Sequence, residues 1–243
     1  MRRREFIAGL GGAAAWPLVA RAQQPMPVIG ILSGGSPENF APFQAPLREG
    51  LAEVGFVEGK NLAFEYRWAQ GHFERLPGLA IDLVGGGPAV IVTNTLPAAL
   101  AAKEATNTIP VVFVIGEDPI KVGLVTSLNR PTANVTGVTN FMNVLGAKRL
   151  ELAGEVVPKA EALALLVNRS NPNAEADTSD LRAAADVLGR RVSVLTASSD
   201  AEIEEAFHAA AQQSVGALFV NIDPFFFSHR ELFAALAGRY GIP

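Results

Sequence analysis

The chain has 243 residues, 49% of them hydrophobic and 18% charged, with a formal net charge of −4 and no cysteine. That length suffices for one large α/β domain or two lobes of about 100–150 residues each, and the apolar fraction excludes a disordered acidic tail. The lack of cysteine excludes disulfide scaffolds, thiolate zinc sites and cysteine nucleophiles, and the negative balance argues against general nucleic-acid affinity.

The first segment reads as an address. Met1-Arg2-Arg3-Arg4-Glu5-Phe6-Ile7 is a basic head, Ala8 to Ala20 is a short apolar stretch, and Ala20-Arg21-Ala22 has the small-x-small form of a cleavage site. Two arginines followed by x-Phe-Ile suit the twin-arginine export route. The stretch is too short to cross about 30 Å of hydrocarbon. We therefore expect a signal peptide over residues 1–22 and a periplasmic mature chain. Removing that peptide leaves 16 basic and 23 acidic residues, a net charge of −7.

From Pro27 onward, short β-branched runs alternate with amphipathic ones. Val28 to Leu32 reads as a buried strand. Ser36 and Pro37 open a helix whose apolar face is expected at Phe43, Leu47, Leu51 and Val54, and Gly55 stops it. Leu62 to Trp68 alternates like a half-buried strand. A helix follows over about 73–84, then a strand at Val90–Thr93, a helix from Asn94 to about Ala105, and an apolar strand from Pro110 to Ile115. Leu128 to Asn143 breaks the rhythm and is expected to be the crossing between two lobes. The pattern then repeats: helix 144–156, strand 162–167, helix 174–188, strand 191–195, helix 200–212, strand 217–220, and a last helix from Pro224 through Arg239. Alternation of this kind implies βαβ units and parallel sheets with helices on both faces.

The loops after the strands are small and polar, and ligands of open parallel sheets bind outside the carboxyl ends of strands. The candidate ligand-binding residues are Ser33, Ser36, Thr93, Asn94, Thr95, Asp118, Asn168, Asn171, Asn221 and Asp223. Free N–H groups at helix starts suit a carboxylate. Asp118 and Asp223 suit an ammonium group, and Phe40, Phe141, Phe225 and Phe226 suit an apolar wall. Ser36, Asn94 and Asp223 are equally good as plain helix caps. Gly85-Gly86-Gly87 follows a helix and precedes a strand, the reverse of a phosphate loop. His72, His208 and His229 are expected unpaired on helix surfaces. No nucleophile–base pair or metal-ligand cluster stands out, so catalytic residues, metals and cofactors are expected to be none.

Several segments carry a resemblance. They include Pro27 to Pro37, Gly50 to Gly55 with Glu58 to Leu62, Glu65 to Ala69, Asn129-Arg130-Pro131 with Asn134 to Val138, and Lys148 to Leu152. Leu165 to Asn168 with Asn171 to Asn173, and Asp223 to Phe226, complete the set. Together the chain resembles the exported substrate-binding proteins of ABC transporters, in the aromatic-amino-acid (tryptophan/tyrosine) type family. The resemblance implies two Rossmann-like α/β lobes with parallel sheets, periplasmic-binding-protein type I-like, over residues 23–139 and 140–243, closing by a hinge. Family members continue well beyond a segment like Tyr240-Gly241-Ile242-Pro243, so the second lobe is expected to be incomplete. The implied function is capture of a small solute, an amino acid or similar carboxylate, by a monomer that delivers it to an inner-membrane ABC permease. A ligand-sensing module of a membrane receptor and a periplasmic α/β enzyme are the alternatives.

Overall fold

A computed structural model describes residues 26–131, 133–142, 145–158, 160 and 162–243. The signal peptide expected over residues 1–22 lies outside the described residues. Among these, no helix is long and apolar enough to cross a membrane.

The first sheet is parallel, in the order β2-β1-β3-β4-β5. Its strands are β1 (Val28–Ser33), β2 (Ala63–Trp68), β3 (Val90–Thr93), β4 (Val111–Ile115) and β5 (Val135–Thr139). Helix α1 (Pro37–Glu53) covers one face, and α2 (Leu76–Gly85) and α3 (Leu96–Ala105) cover the other. The near-continuous apolar run of β1 is what a strand buried on both faces needs. Leu83, Ile91, Ala99, Val111 and Phe113 form the α2/α3 side of the core. Ile29, Ile31, Phe40 and Leu62 form the α1 side. Helix α1 starts at Ser36, whose hydroxyl accepts from the Asn39 amide at 3.5 Å, and Gly55 leaves the helix at φ +90°, a conformation glycine adopts without steric cost.

The second sheet is parallel too, in the order β7-β6-β8. It comprises β6 (Ala162–Val167), β7 (Arg191–Thr196) and β8 (Ala217–Val220). Helices α4 (Gly146–Val156) and α5 (Ala174–Val187) pack on one side through Leu150, Leu181 and Ala185. Helices α6 (Asp200–Gln212), α7 (Pro224–Ser228) and α8 (Arg230–Tyr240) pack on the other through Ile203, Phe207, Phe226 and Leu236. The Pro243 carbonyl lies beside β8, accepting from the Leu218 amide at 2.9 Å.

Four expectations are corrected. The segment Leu128–Asn143 is not only a crossing: it contains β5, which pairs with β4 from Val111↔Val135 to Ile115↔Thr139. Val135 is buried while Val138 is exposed, so this half-solvated edge strand lacks the apolar run that marks the others. In α1 the core residue is Phe40, with Leu47 and Leu51 beside it; Phe43 and Val54 are exposed. The final helix is two helices that break at His229 (φ −101°, ψ 17°). The histidines are not unpaired. His72 lies 3.3 Å from Glu74 and His208 3.0 Å from Gln212. His229 Nε2 meets Asp200 Oδ1 at 2.9 Å, and its Nδ1 meets the Phe225 carbonyl at 2.7 Å.

Candidate functional site: the strand-end loops of the two sheets

In a 2-1-3-4-5 sheet the strand order reverses between β1 and β3, and the crevice at such a switch point receives ligands. The loops there are Ser33–Ser36 and Thr93–Thr95. The second sheet reverses between β6 and β8, whose loops are Asn168–Asn173 and Asn221–Asp223. Nine of the ten candidate residues thus sit at switch points. Asp118 follows β4 instead, and its Oδ1 accepts from the Ile120 and Lys121 amides at 2.9 and 3.3 Å.

On the first-sheet side the polar atoms are only partly satisfied. Ser33 is fully buried and its hydroxyl accepts from the Gly35 amide at 3.1 Å. Thr93 Oγ1, Asn94 Oδ1 and Thr95 Oγ1 are all buried without a hydrogen-bond partner among the described residues. Thr95 is the N-cap of α3 but makes no side-chain cap bond, and Pro97 follows in the first turn. The first turn of α3 therefore keeps backbone N–H groups at Leu96 and Ala98 outside the intrahelical ladder, at the positive end of the helix dipole. Gly34 lets the β1 and β3 loops approach: a Cβ there would lie 2.8 Å from Phe73 Cε1 and 3.1 Å from Thr95 Oγ1.

On the second-sheet side the polar atoms are bonded to one another. Asp223 is 4% exposed. Its Oδ1 accepts from Asn168 Nδ2 at 3.0 Å and from the Phe225 amide at 2.8 Å, and its Oδ2 accepts from Asn171 Nδ2 at 2.7 Å. Burial pushes the carboxyl above the usual range, and these hydrogen bonds pull the other way. Asn168 Oδ1 in turn accepts from the Ser170 amide and the Ser198 hydroxyl, each at 3.0 Å. Asn221 Nδ2 donates to Asp177 Oδ2 at 2.9 Å. Asp177 is also pushed up, first by burial and then by the like charges of Asp180 and Asp223.

The two sides touch. Asn39 Nδ2 on α1 donates to the Pro224 carbonyl on α7 at 2.9 Å, across 185 residues of sequence. Asn173 Nδ2 donates to Glu117 Oε1 at 3.3 Å. Lys121 and Asp180 pair at 3.5 Å with both side chains about three-quarters exposed, a pair worth little. The aromatic residues divide. Phe40 and Phe226 are buried in their own cores. Phe225 packs against His229 with ring centroids 4.3 Å apart and planes tilted by 46°, and Phe141 is 37% exposed.

Sequence reasoning missed Asn39 and Asp177, which lie inside helices where polar residues are ordinary. It missed Ser198 as well. The line of Ser228, His229 and Asp200 also escaped it. Ser228 Oγ is committed to the Phe225 carbonyl at 2.6 Å, so the three residues tie the end of α7 to the start of α6.

Several known proteins resemble this chain. A family model described as ABC transporter substrate binding protein matches residues 5–243. A tyrosine-binding protein of Clostridioides difficile (strain R20291) is 26% identical over 193 residues, which is 79% of this chain. The match covers 55% of that relative, so the chain spans about half its length. A conserved domain protein from Vibrio cholerae is 28% identical with a TM-score of 0.77, covering 90% of this chain and 73% of the other. A domain from Streptococcus pneumonia, solved with L-Trp, shares the fold at 24% identity and a TM-score of 0.75, covering 89% of this chain and 72% of the other. A leucine-binding protein from Thermotoga maritima extends the likeness to periplasmic-binding-protein type I folds, with a TM-score of 0.61 at 13% identity, covering 80% of this chain and 55% of the other. With two parallel α/β sheets and a family match over nearly its whole length, the chain belongs to the ABC transporter substrate-binding protein family.

Proposed function

We propose that the chain captures a small amphipathic amino acid between the loops of its two sheets and delivers it to an inner-membrane ABC permease. The observation that carries this reading is the trio of buried oxygens on Thr93, Asn94 and Thr95 that find no partner among the described residues, at the start of a helix without a side-chain cap. In this reading the solute carboxylate takes the Thr95 hydroxyl and the α3 N–H groups, and Asn94 Oδ1 accepts from the ammonium. None of the ten candidate residues is cationic, so neutral donors and the helix end carry the anion. The named specificity of the C. difficile relative and the L-Trp held by the streptococcal neighbour support an aromatic side chain.

Residues 1–22 act as a twin-arginine signal to the periplasm in this proposal. The lobes divide at residues 139 and 140, and the protein works as a monomer. It binds without a metal, a cofactor or nucleic acid, and it is not an enzyme.

A thermal-shift series tests the reading, using L-tyrosine, L-tryptophan, L-phenylalanine and L-leucine beside tyramine and 4-hydroxyphenylacetate. A solute at 100 times its dissociation constant stabilises by about 2.7 kcal/mol. Shifts with the zwitterions and none with the two truncated analogues are expected. A cooperative melt that no amino acid moves would overturn the assignment.

A further inference from the structure

We infer that Asn39 with the Pro224 carbonyl, and Glu117 with Asn173, form a two-point clasp that sets closure of the cleft without touching solute. These side chains are positioning residues, and the inference rests on the solute-binding reading above. The sheet order carries it. In the first sheet β3 lies between β1 and β4. The β1 end leads into Asn39, and the β4 end leads into Glu117. The unpartnered oxygens of Thr93, Asn94 and Thr95 are therefore flanked on both sides by a hydrogen bond that crosses to the second sheet.

The opposite ends of the clasp share one anchor. Pro224 follows Asp223 directly. The Asn173 amide donates to Asn171 Oδ1 at 3.0 Å, and Asn171 Nδ2 donates to Asp223 Oδ2 at 2.7 Å. Both second-sheet halves thus hang on the Asp223 carboxylate, which Asn168 and the Phe225 amide hold from the other side. On the first sheet, Thr139 Oγ1 donates to the Glu117 carbonyl at 2.7 Å and steadies that half from the end of β5. A hydrogen-bonded line therefore runs from β5 through Glu117, Asn173, Asn171 and Asp223 to Asn168 and Ser198. Each crossing bond exists only when the sheets are close. Each therefore favours the closed population, and any solute gains affinity in proportion to that population.

The test uses the absence of native cysteine. Spin labels on E104C and E205C, two exposed positions on α3 and α6, report the inter-sheet distance without any solute. The double variant Asn39→Ala/Asn173→Ala is expected to shift the distance distribution to longer values. Glu117→Gln, which keeps a carbonyl acceptor for Asn173, should leave the distribution as in the parent. For solutes that bind, affinity should fall by a common factor, about two- to tenfold for each bond removed. An unchanged distance distribution in the double variant overturns the clasp. So does an affinity loss confined to one solute, which would make these residues contacts. The distance measurement needs no solute, so a failed thermal-shift screen and a failed clasp remain distinguishable.

Discussion

At the end of β3, three buried side-chain oxygens stand without partners among the described residues; at the end of β8, the Asp223 carboxylate takes three hydrogen bonds from its own sheet. Both regions are polar loops leading into helix N-termini. They differ in what the polar atoms do. Leaving a buried donor or acceptor unpaired costs about 1–3 kcal/mol, whereas a satisfied network rigidifies its loops. Under the proposed function, the first region receives a ligand group. The second is shaped to hold still and present its edge. Under the proposed function, the Asp223 carboxylate holds the second-sheet loops together and the loop after β3 receives the solute.

The sharpest way to break this contrast is to remove the hub. Asp223→Ala leaves the Asn168 and Asn171 amides and the Phe225 N–H without their acceptor, and should cost about 3 kcal/mol in urea unfolding. A loss below 1 kcal/mol would show that the network is not the scaffold argued here. Next in size, Thr95→Val keeps the shape and removes an unpaired hydroxyl. Its affinity for a zwitterionic solute should fall about ten- to hundredfold in calorimetry, with the melting temperature level or higher. A drop in melting temperature with unchanged affinity would reverse the roles of the two regions.

Gly34→Ala probes the closeness of the β1 and β3 loops. The added Cβ presses on buried Phe73 and on Thr95 Oγ1, so a loss of about 1–2 kcal/mol in stability and a parallel loss of affinity are expected. The pH dependence sharpens the second region. Burial raises Asp177 and Asp223, so the folded chain retains protons that the unfolded chain releases. That stabilisation is fully present below the ordinary carboxylate value of about 4 and is lost as pH rises through the folded values. Asp177→Asn removes one such group, and its stability should decline less between pH 4 and 7 than that of the parent. A steeper decline would contradict the burial argument. The smallest effect belongs to the exposed Lys121–Asp180 pair: Lys121→Ala should change stability by less than about 0.5 kcal/mol and affinity by less than twofold.

Much of this architecture is legible along the chain. The apolar runs Val28–Ile31 and Leu163–Val167 need burial on both faces, which a parallel sheet flanked by helices provides. The polar loops after β1, β3, β6 and β8 were readable as strand-end loops, because turn-forming Ser, Asn and Gly stand between two periodicities. Strand β5 was not readable, since one exposed face interrupts its pattern. Phe43 mimicked a core position by its spacing, yet Phe40 is the one that packs on Trp68, with ring centroids 5.4 Å apart.

The sequence by itself determined the alternation of strands and helices, the positions of the turns and the polarity of the loops. Those properties depend on local backbone preferences and on hydrophobic period. Only the tertiary structure decided which loops meet. Asn39 and Pro224 are joined across 185 residues, and Asn171 reaches Asp223 across 52. No local pattern encodes such partners, because they are chosen by sheet order and by the approach of two separate sheets. For the same reason Asp223 became saturated and Thr95 did not: whether a buried polar atom finds a partner depends on what the fold brings to it.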